Sequence, residues 1–251
     1  MAVTIKSKKK IEFREKAGKM LEEVHNKLAD FVKPGISTLE IDQFGEKAIR
    51  DLGCVPNFLN YNGYPASICV SVNDEVVHGI PSKDRILQDG DIVSLDAGLI
   101  YEGYHSDAAR THAVGNISEE AKRLIEVTKQ SFFEGIKLAV PGNHLFDISE
   151  AIQKYVESNG YSVVRDLVGH GIGTHLHEDP QIPNFKQRRK GMKLRPGMTL
   201  AIEPMVNEGS YDVVWLDDDW TVVTEDGSLA AHYENTIVIT EDGCEILTLS
   251  E

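Results

Sequence analysis

The sequence contains few cysteines, no long apolar run and far fewer basic than acidic residues. Its three cysteines, Cys54, Cys69 and Cys244, form an odd and unpatterned set among 251 residues. Such a set favours a reducing cytoplasm over a disulfide-stabilised secreted fold. No apolar run approaches the roughly 18 residues that a membrane span needs, and no apolar segment of secretory length follows the basic N-terminus. We therefore expect a cytoplasmic protein with no signal peptide and no membrane partner.

The charge balance argues against a nucleic-acid-binding protein. The chain has 26 Lys and Arg against 40 Asp and Glu, a net charge of -14, and such a surface repels DNA and anionic lipid. Lys6, Lys8, Lys9 and Lys10 form a short basic run near the start. We interpret this run either as a solvated terminus or as a transient contact with ribosomal RNA or another acidic surface.

Two pairs of amphipathic helices recur along the chain. Apolar residues at spacings of three and four predict helices over 12–32, 39–52 and 118–140, and a fourth that ends at Gly160. A fixed offset of 107 residues places Pro34-Gly35 on Pro141-Gly142 and Gly53 on Gly160. We interpret this agreement as an internal duplication within a single domain, 1–251, whose pseudo-symmetric halves span about 11–115 and 116–249.

Strands follow each helix pair. Alternating or β-branched runs predict strands over 67–72, 76–80, 91–97, 104–114, 161–168, 198–202 and 232–240. The turn at Glu102-Gly103 predicts a hairpin in which Asp96 lies opposite Ala109 and Asp107 points to the same face. The expected fold class is α/β (α+β), with an antiparallel-rich central sheet flanked by helices.

Four acids lie where solvated carboxylates are unusual. Asp96 lies within an apolar strand, Glu203 ends an apolar run and Glu234 interrupts the start of the last strand, while Asp107 lies on the same face as Asp96. Each acid alone can be explained as a strand-edge residue or a hydrogen-bonded turn acid. Together in a core they would have to be protonated or paired. Two divalent cations would cancel their four charges, and His170 would add a neutral imidazole. This arrangement is typical of metal-assisted hydrolysis by an activated water.

A glycine-rich stretch, residues 168–180, contains His170 and His177. Its alternating glycines favour close approach of a ligand or metal to the main chain. A phosphate-binding loop would instead need Gly-x-Gly-x-x-Gly at the start of a helix, which this spacing does not give.

Five motifs together resemble the type I methionine aminopeptidases. They are 71–81 (SVNDEVVHGIP), the pair Asp96 and Asp107, 169–173 (GHGIG) with 177–180 (HEDP), 201–204 (AIEP) and 232–236 (HYENT). The similarity runs from about Ile11 to Leu249 and is of the bacterial kind, without an N-terminal extension. It implies the duplicated pita-bread fold. The 26 positions between His177 and Glu203 leave no room for the helical insertion of type II enzymes.

The resemblance also implies the metal ligands and their roles. Asp96 is expected to chelate one metal, Asp107 and Glu234 to bridge both, and His170 and Glu203 to complete the other site. The ions are two divalent metals, cobalt, manganese, iron or zinc. His105 and His232 share faces with Asp107 and Glu234, so they are expected to support the ligands from behind.

Catalytic and substrate-binding roles follow from the same resemblance. Glu203 is the expected proton shuttle, His177 the residue that holds the scissile carbonyl oxygen, and His78 the contact to the peptide nitrogen or the tetrahedral adduct. The methionine pocket is expected to consist of Tyr61, Tyr64, Cys69 and Trp220, with Phe58 and Leu176 where many relatives have cysteine and phenylalanine.

The predicted function is removal of the initiator methionine from nascent chains that have a small second residue. The protein is expected to be a cytoplasmic monomer with no DNA partner. Two alternatives stay open: a proline-specific peptidase of the same fold, which usually has an additional N-terminal domain, and a non-catalytic pita-bread module that binds peptides.

Overall fold

The structure, a computed structural model, describes residues 5–6 and 8–249. Part of the basic run, the side chains of Lys8 and Lys9, lies outside this description. Within it there are four α-helices: α1 Lys8–Phe31, α2 Thr38–Asp51, α3 Glu119–Ile136 and α4 Leu145–Ser158. The strands are β1 Val55–Pro56, β2 Ile68–Val72, β3 Glu75–Val77, β4 Ile92–Tyr101, β5 Tyr104–Ala113, β6 Ser162–Val163, β7 Gly169–Gly171, β8 Glu178–Ile182, β9 Thr199–Ile202, β10 Met205–Asn207, β11 Val213–Trp215, β12 Val222–Thr224, β13 Ala230–His232, β14 Glu234–Ile239 and β15 Cys244–Ile246.

A nine-stranded sheet forms the centre of the molecule. Its order is β1-β4-β5-β14-β9-β7-β8, with β2 added on β4 and β15 on β14. Its strand pairs are antiparallel, and two three-stranded sheets, β13-β10-β6 and β11-β12-β3, adjoin it. Helices α1 and α2 pack on the half built from β2 and β4, while α3 and α4 cover a second apolar core that includes β9 and β14. The predicted fold class, a helix-flanked antiparallel sheet, is confirmed.

Residues 107 apart make the same contacts in the two halves. Ser37 caps α2 in a capping box with Glu40, and His144 caps α4 in the same way with Asp147. Ser37 also forms an isolated bridge to Ile86, and its counterpart His144 forms one to Lys193. The duplication seen in the sequence is therefore also present in the hydrogen bonding.

The two helix pairs both pack a glycine against a large side chain, but the glycine lies on the second helix of the first pair and on the first helix of the second pair. In the first half Leu28 on α1 faces Gly45 on α2, where a Cβ would lie 3.4 Å from the leucine. In the second half the equivalent positions are Gly135 on α3 and Ile152 on α4, and a Cβ on the glycine would lie 2.6 Å from Ile152. Each pair thus combines one glycine with one large side chain, as close helix approach requires.

Four predicted elements differ from the structure. The strand predicted over 161–168 covers only Ser162–Val163. The third helix ends at Ile136, because the chain before Pro141 leaves the α conformation and closes with i to i-3 bonds from Leu138 and Ala139. The strand predicted over 76–80 stops at Val77, and His78 adopts a left-handed φ of 59°. The last predicted strand is split at Tyr233, whose N–H donates to Pro204 outside the ladder. Across the described ranges no helix combines the length and apolar character needed to cross a membrane.

Candidate active site

A cavity of about 310 Å³ lies between the two halves. Every residue that the sequence analysis assigns to the site lines it: Phe58, Tyr61, Tyr64, Cys69, His78, Asp96, Asp107, His170, Leu176, His177, Glu203, Trp220 and Glu234. The sequence analysis missed a second group along the wall, namely Asn62, Val77, Asp166, Leu167, Val168 and Met205. Val77 lies in the 71–81 motif and Val168 begins the glycine-rich stretch, but neither was assigned to the site. Asn62, Asp166, Leu167 and Met205 lie outside the motifs, so the sequence contained no signal for them.

The β4–β5 hairpin presents two of the acids on one face. Asp96 pairs with Ala109 and Asp107 with Gly98, in the predicted register. Since residues two apart on a strand share a face, both carboxylates point toward the cavity. A side chain at Gly98 would have its Cβ 2.9 Å from Asp107 Oδ1. The absence of a side chain at Gly98 therefore makes room for the carboxylate opposite it.

The remaining ligands come from the second half. Glu203 follows β9, Glu234 begins β14, and His170 is the central residue of β7. The Nε2 atom of His170 lies 3.8 Å from Asp107 Oδ2 and 3.6 Å from Glu203 Oε1. Asp96 and Glu203 are 107 residues apart, so the duplication places an acid at the same position of each half.

Two overlapping groups of donor atoms could each hold a metal ion. The donors of Asp107, His170 and Glu234 lie within 4.8 Å of one another, and so do those of Glu203, His232 and Glu234. Asp96 lines the same cavity but belongs to neither group. His232, expected only to support a ligand from behind, lies with Nε2 3.9 Å from Glu234 Oε2.

Burial makes this cluster unfavourable without a counter-ion. It raises the pKa of Asp96 to about 7, and burial together with neighbouring acids raises the pKa of Asp107, Glu203 and Glu234 well above their ordinary range. Three buried carboxylate oxygens, on Asp96, Asp107 and Glu234, have no hydrogen-bond partner. Oxygens of this kind are normally satisfied, so the donor set fits divalent cations.

His170 is in the state that a metal ligand needs. Burial lowers its pKa to about 3, so the ring is neutral at physiological pH. Its Nδ1 lies 2.9 Å from the carbonyl oxygen of Gly171 and donates to it. The lone pair is therefore on Nε2, the atom that faces Asp107 and Glu203.

Two further imidazoles border the acids. The Tyr61 hydroxyl lies 2.7 Å from His177 Nδ1, and the rings of His177 and His170 meet edge to face at 4.3 Å. His78 packs against Trp220 with ring centroids 6.2 Å apart. Burial lowers the pKa of His78 to about 4 and that of His177 below its ordinary value, so both rings are neutral near pH 7.

An apolar pocket adjoins the acids. Phe58, Tyr64, Cys69 and Leu176 form one buried cluster, against which Tyr61 and Trp220 pack. Tyr64 meets the edge of Trp220 at 5.1 Å and donates its hydroxyl hydrogen to the carbonyl oxygen of Gly79, 2.8 Å away. Aromatic rings and a thiol make a favourable surface for a thioether.

Polar residues for which no role was predicted hydrogen-bond to the backbone of the acids. Thr236 exchanges hydrogen bonds with the backbone of Asp107, and Asn184 donates to the carbonyl oxygen of Glu203. Arg110 donates to the carbonyl oxygen of Glu234 and to Asn235. Thr236 and Asn235 belong to the HYENT motif, so the sequence contained a signal for them, whereas Asn184 and Arg110 had none.

The glycines of residues 168–180 have a different reason from the one expected. A Cβ on Gly169 would lie 2.5 Å from the carbonyl oxygen of Ala201, and one on Gly171 would overlap the backbone of Asp179. A Cβ on Gly173 would overlap the Glu178 carboxylate. These glycines therefore allow neighbouring protein strands to approach closely, rather than a ligand.

Comparison with known proteins gives consistent results. The sequence signature of metallopeptidase family M24 matches residues 12–241. A methionine aminopeptidase of Clostridium acetobutylicum is 56% identical over 249 residues, 99% of this chain and 100% of that protein. The crystal structure of methionine aminopeptidase from Thermotoga maritima superposes with a TM-score of 0.97 at 46% identity, covering 99% of this chain and 100% of that one.

A proline-specific relative is more distant. The Xaa-Pro dipeptidase from Bacillus anthracis superposes with a TM-score of 0.80 at 25% identity. The match covers 98% of this chain but only 62% of that one.

Proposed function

The chain belongs to metallopeptidase family M24, and from this premise we propose that it removes the N-terminal methionine from newly made polypeptides. The substrate is a chain end with methionine followed by a small residue. One observation supports this most directly: a cluster of buried, unpartnered carboxylate oxygens lies beside an apolar pocket lined by aromatic rings and a thiol. The first feature suits hydrolysis with divalent metal, and the second suits the methionine side chain.

The residues present would hold two divalent ions. Asp96 would bind one, Asp107 and Glu234 would bind both, and His170 and Glu203 would complete the second site. The ions belong to the manganese, iron, cobalt and zinc class, because the donors are mostly oxygen with one imidazole. When bound, such ions supply a water that ionises near neutral pH and a positive charge for the carbonyl oxygen.

Proton transfer is assigned to Glu203. Its carboxylate borders the cavity and its backbone is fixed by Asn184. This carboxylate would accept a proton from the attacking water. It then returns that proton to the leaving amine, as general base followed by general acid.

His177 is assigned to the carbonyl oxygen of the scissile bond. We assign the Tyr61 hydroxyl as the donor in its hydrogen bond to His177 Nδ1, 2.7 Å away. The imidazole proton is then on Nε2, where it can donate to an oxygen that gains negative charge. His78, on the other side of the pocket beside Trp220, is assigned to the peptide nitrogen or the tetrahedral adduct.

The methionine side chain would occupy the pocket formed by Tyr61, Tyr64, Cys69 and Trp220. Phe58 and Leu176 complete its wall. A thioether packs well against these rings, whereas a longer or charged first residue would leave polar groups without partners.

The wider setting of the protein is part of the proposal. We assign one catalytic domain to 1–251, with halves near 11–115 and 116–249, acting as a monomer in the cytoplasm. Nascent chains are the partners, and the basic run at the N-terminus would make at most a transient contact with the ribosome.

Hydrolysis of Met-Ala-Ser and of Xaa-Pro dipeptides, each with and without chelator, tests the proposal. Release of methionine that is lost with chelator and restored by Mn(II) is the expected result. Turnover of the proline substrates alone would favour the proline-specific alternative. No turnover with added Mn(II) or Co(II) would favour a peptide-binding module.

A further inference from the structure

The loop that contains His177 is built around one carboxylate. We define the imidazole loop as residues 173–178. The backbone N–H of His175 donates to Glu178 Oε1 at 3.2 Å, and a Cβ on Gly173 would overlap the same carboxylate. The Glu178 side chain therefore fills the inside of the loop, directly beside His177 in sequence.

The N-terminal arm, which we define as residues 5–6, provides the counter-ion for this carboxylate. Lys6 Nζ lies 2.5 Å from Glu178 Oε2, and only 7% and 13% of the two side chains are exposed. The backbone of Lys6 donates to the carbonyl oxygen of Gly197 at 2.9 Å. A Cβ on Gly197 would approach Ile5 to 2.9 Å. The arm thus packs against the turn that precedes β9, and its lysine extends from there to the imidazole loop.

A second cation, from α1, lies beside the loop. Arg14 is buried, and its Nη1 donates to the carbonyl oxygen of Ile172, the residue before the loop, at 2.8 Å and to the hydroxyl of Thr199. Burial lowers the pKa of Arg14 to about 10, and the nearby Glu178 opposes this effect. Lys6 therefore contacts the loop itself, and Arg14 fixes the backbone next to it.

From this geometry we infer that Glu178, neutralised by Lys6, is a positioning residue for His177. The role of His177 itself rests on the proposed function. Among the described residues, the ring contacts of its side chain are with Tyr61, by ring and hydroxyl, and with the edge of His170. Fixing the ring in space therefore depends on the backbone of the imidazole loop, and the N-terminal arm determines how rigid that loop is.

Losing Lys6 removes the direct ion pair of a carboxylate whose side chain is only 13% exposed. A buried carboxylate that loses this partner is better hydrated, so the loop would move outward. A shift of about 1 Å in a group that contacts the transition state can cost up to about 100-fold in rate. The methionine pocket is formed mainly by other segments, so substrate binding would change little.

Five variants of the full chain test the inference: Lys6→Met, Lys6→Arg, Glu178→Gln, the double variant of Lys6→Met with Glu178→Gln, and the control Lys10→Met. Lys10 is exposed and close enough to Lys6 to affect its pKa, which makes it a matched control. We would measure kcat and KM for Met-Ala-Ser with Mn(II). Hydrogen exchange of residues 173–178 would be measured without substrate, so that the loop is tested independently of activity.

The expected result is a specific loosening of the loop. Lys6→Met lowers kcat about tenfold with KM changed less than about twofold, and the loop exchanges faster. Lys6→Arg restores kcat to within about threefold, and Lys10→Met behaves as the wild type. Adding Glu178→Gln to Lys6→Met lowers kcat by less than the product of the single effects, because both act through one ion pair.

Two results would overturn the inference. One is unchanged exchange of residues 173–178 in Lys6→Met. The other is faster exchange with wild-type kcat, which would make the contact structural only. If the wild type releases no methionine at all, the proposed function fails, whereas unchanged exchange in an active Lys6→Met enzyme refutes the positioning role alone.

Discussion

Asp107 has the most demanding position of the four acids. It is buried, one oxygen has no hydrogen-bond partner, and it belongs to a donor group with His170 and Glu234. Asp107→Asn keeps the shape but removes the charge. We expect activity to fall by more than about 100-fold, since even groups behind the ligands are worth 10- to 100-fold. The increase in Tm on adding Mn(II) should also shrink.

The exposed Asp166 provides the control for this experiment. It lines the same cavity, so Asp166→Asn should retain most of the activity and the full metal-induced increase in Tm. An Asp107→Asn enzyme that is active and fully stabilised by metal would contradict the assignment of Asp107 as a ligand.

Gly98 gives a second prediction at the residue scale. Its missing side chain makes room for Asp107 and for the amide of Asn57. Gly98→Ala should push the carboxylate out of place, reduce metal affinity in a calorimetric titration and cost about 1–3 kcal/mol of stability through overpacking. Gly243→Ala, where the new Cβ meets nothing within 4 Å, should change neither quantity. Equal behaviour of the two variants would contradict this explanation.

The orientation and backbone conformation of some residues could be predicted from the sequence, and those of others could not. Asp96 and Asp107 could be assigned to one face because strand alternation and a two-residue turn fix their register locally. The left-handed conformation of His78 could not be predicted from sequence, because it depends on how the turn after β3 passes β2. There a Cβ on Gly79 would overlap the carbonyl oxygen of Val70. The contacts of the glycines at 169, 171 and 173 were not predicted either. They are made by Ala201 on β9 and by Asp179 and Glu178 on β8, and these positions depend on how the strands pair.

At the scale of elements, the helix pairs offer a test of packing. Gly135→Ala would place its Cβ 2.6 Å from Ile152 and should destabilise the protein by about 1–3 kcal/mol. Ile152→Ala alone should cost about 2–5 kcal/mol through the cavity it leaves. The double variant should cost at least about 1 kcal/mol less than the sum, because the alanine fills part of that cavity. Urea unfolding of the three variants measures these differences, and strict additivity would show that the positions do not share a contact.

Elements were predictable where local signals agree. The starts of α2 and α3, predicted at 39 and 118, lie at Thr38 and Glu119, where Ser37 and Ser118 cap the two helices. The division of the last strand at Tyr233 was not predictable, because the β-branched run continues through it. There the chain leaves the small sheet containing β13 and enters the large sheet through β14, a tertiary event without a local signal.

For the whole molecule, the acids and the histidines predict opposite effects of pH on the stability of the metal-free protein, that is, the protein treated with chelator. The raised carboxylate pKa values mean that the folded state keeps protons which the unfolded chain has lost. Stability therefore falls as pH rises from about 4 through about 7 and above. The lowered histidine pKa values act the other way, and their contribution is lost as pH falls below about 6.5. These histidines are His25, His78, His105, His112, His170, His177 and His232.

The metal-free protein should thus be most stable near pH 6 to 6.5 and lose stability at both lower and higher pH. Above this range only the acids contribute, and bound metal replaces their protons, so the gain in Tm from Mn(II) should grow between pH 6.5 and 8. Each kcal/mol corresponds to about 2–4 °C in a chain of this size. Differential scanning calorimetry at both pH values, with chelator and with Mn(II), measures the effect. A gain that stays constant across this range would count against the cluster as a metal site.

Asp96 and Glu203 occupy matching positions in the two halves, and neither half contains a complete set of donors. Glu203 and Glu234 come after Asp96 and Asp107 in the order of synthesis. Under the proposed function, a ribosome-bound fragment that has folded only its first half is therefore inert, however well that half is packed. Enzymatic competence then requires the strands of the second half to join the sheet, so a half-made copy cannot trim its neighbours.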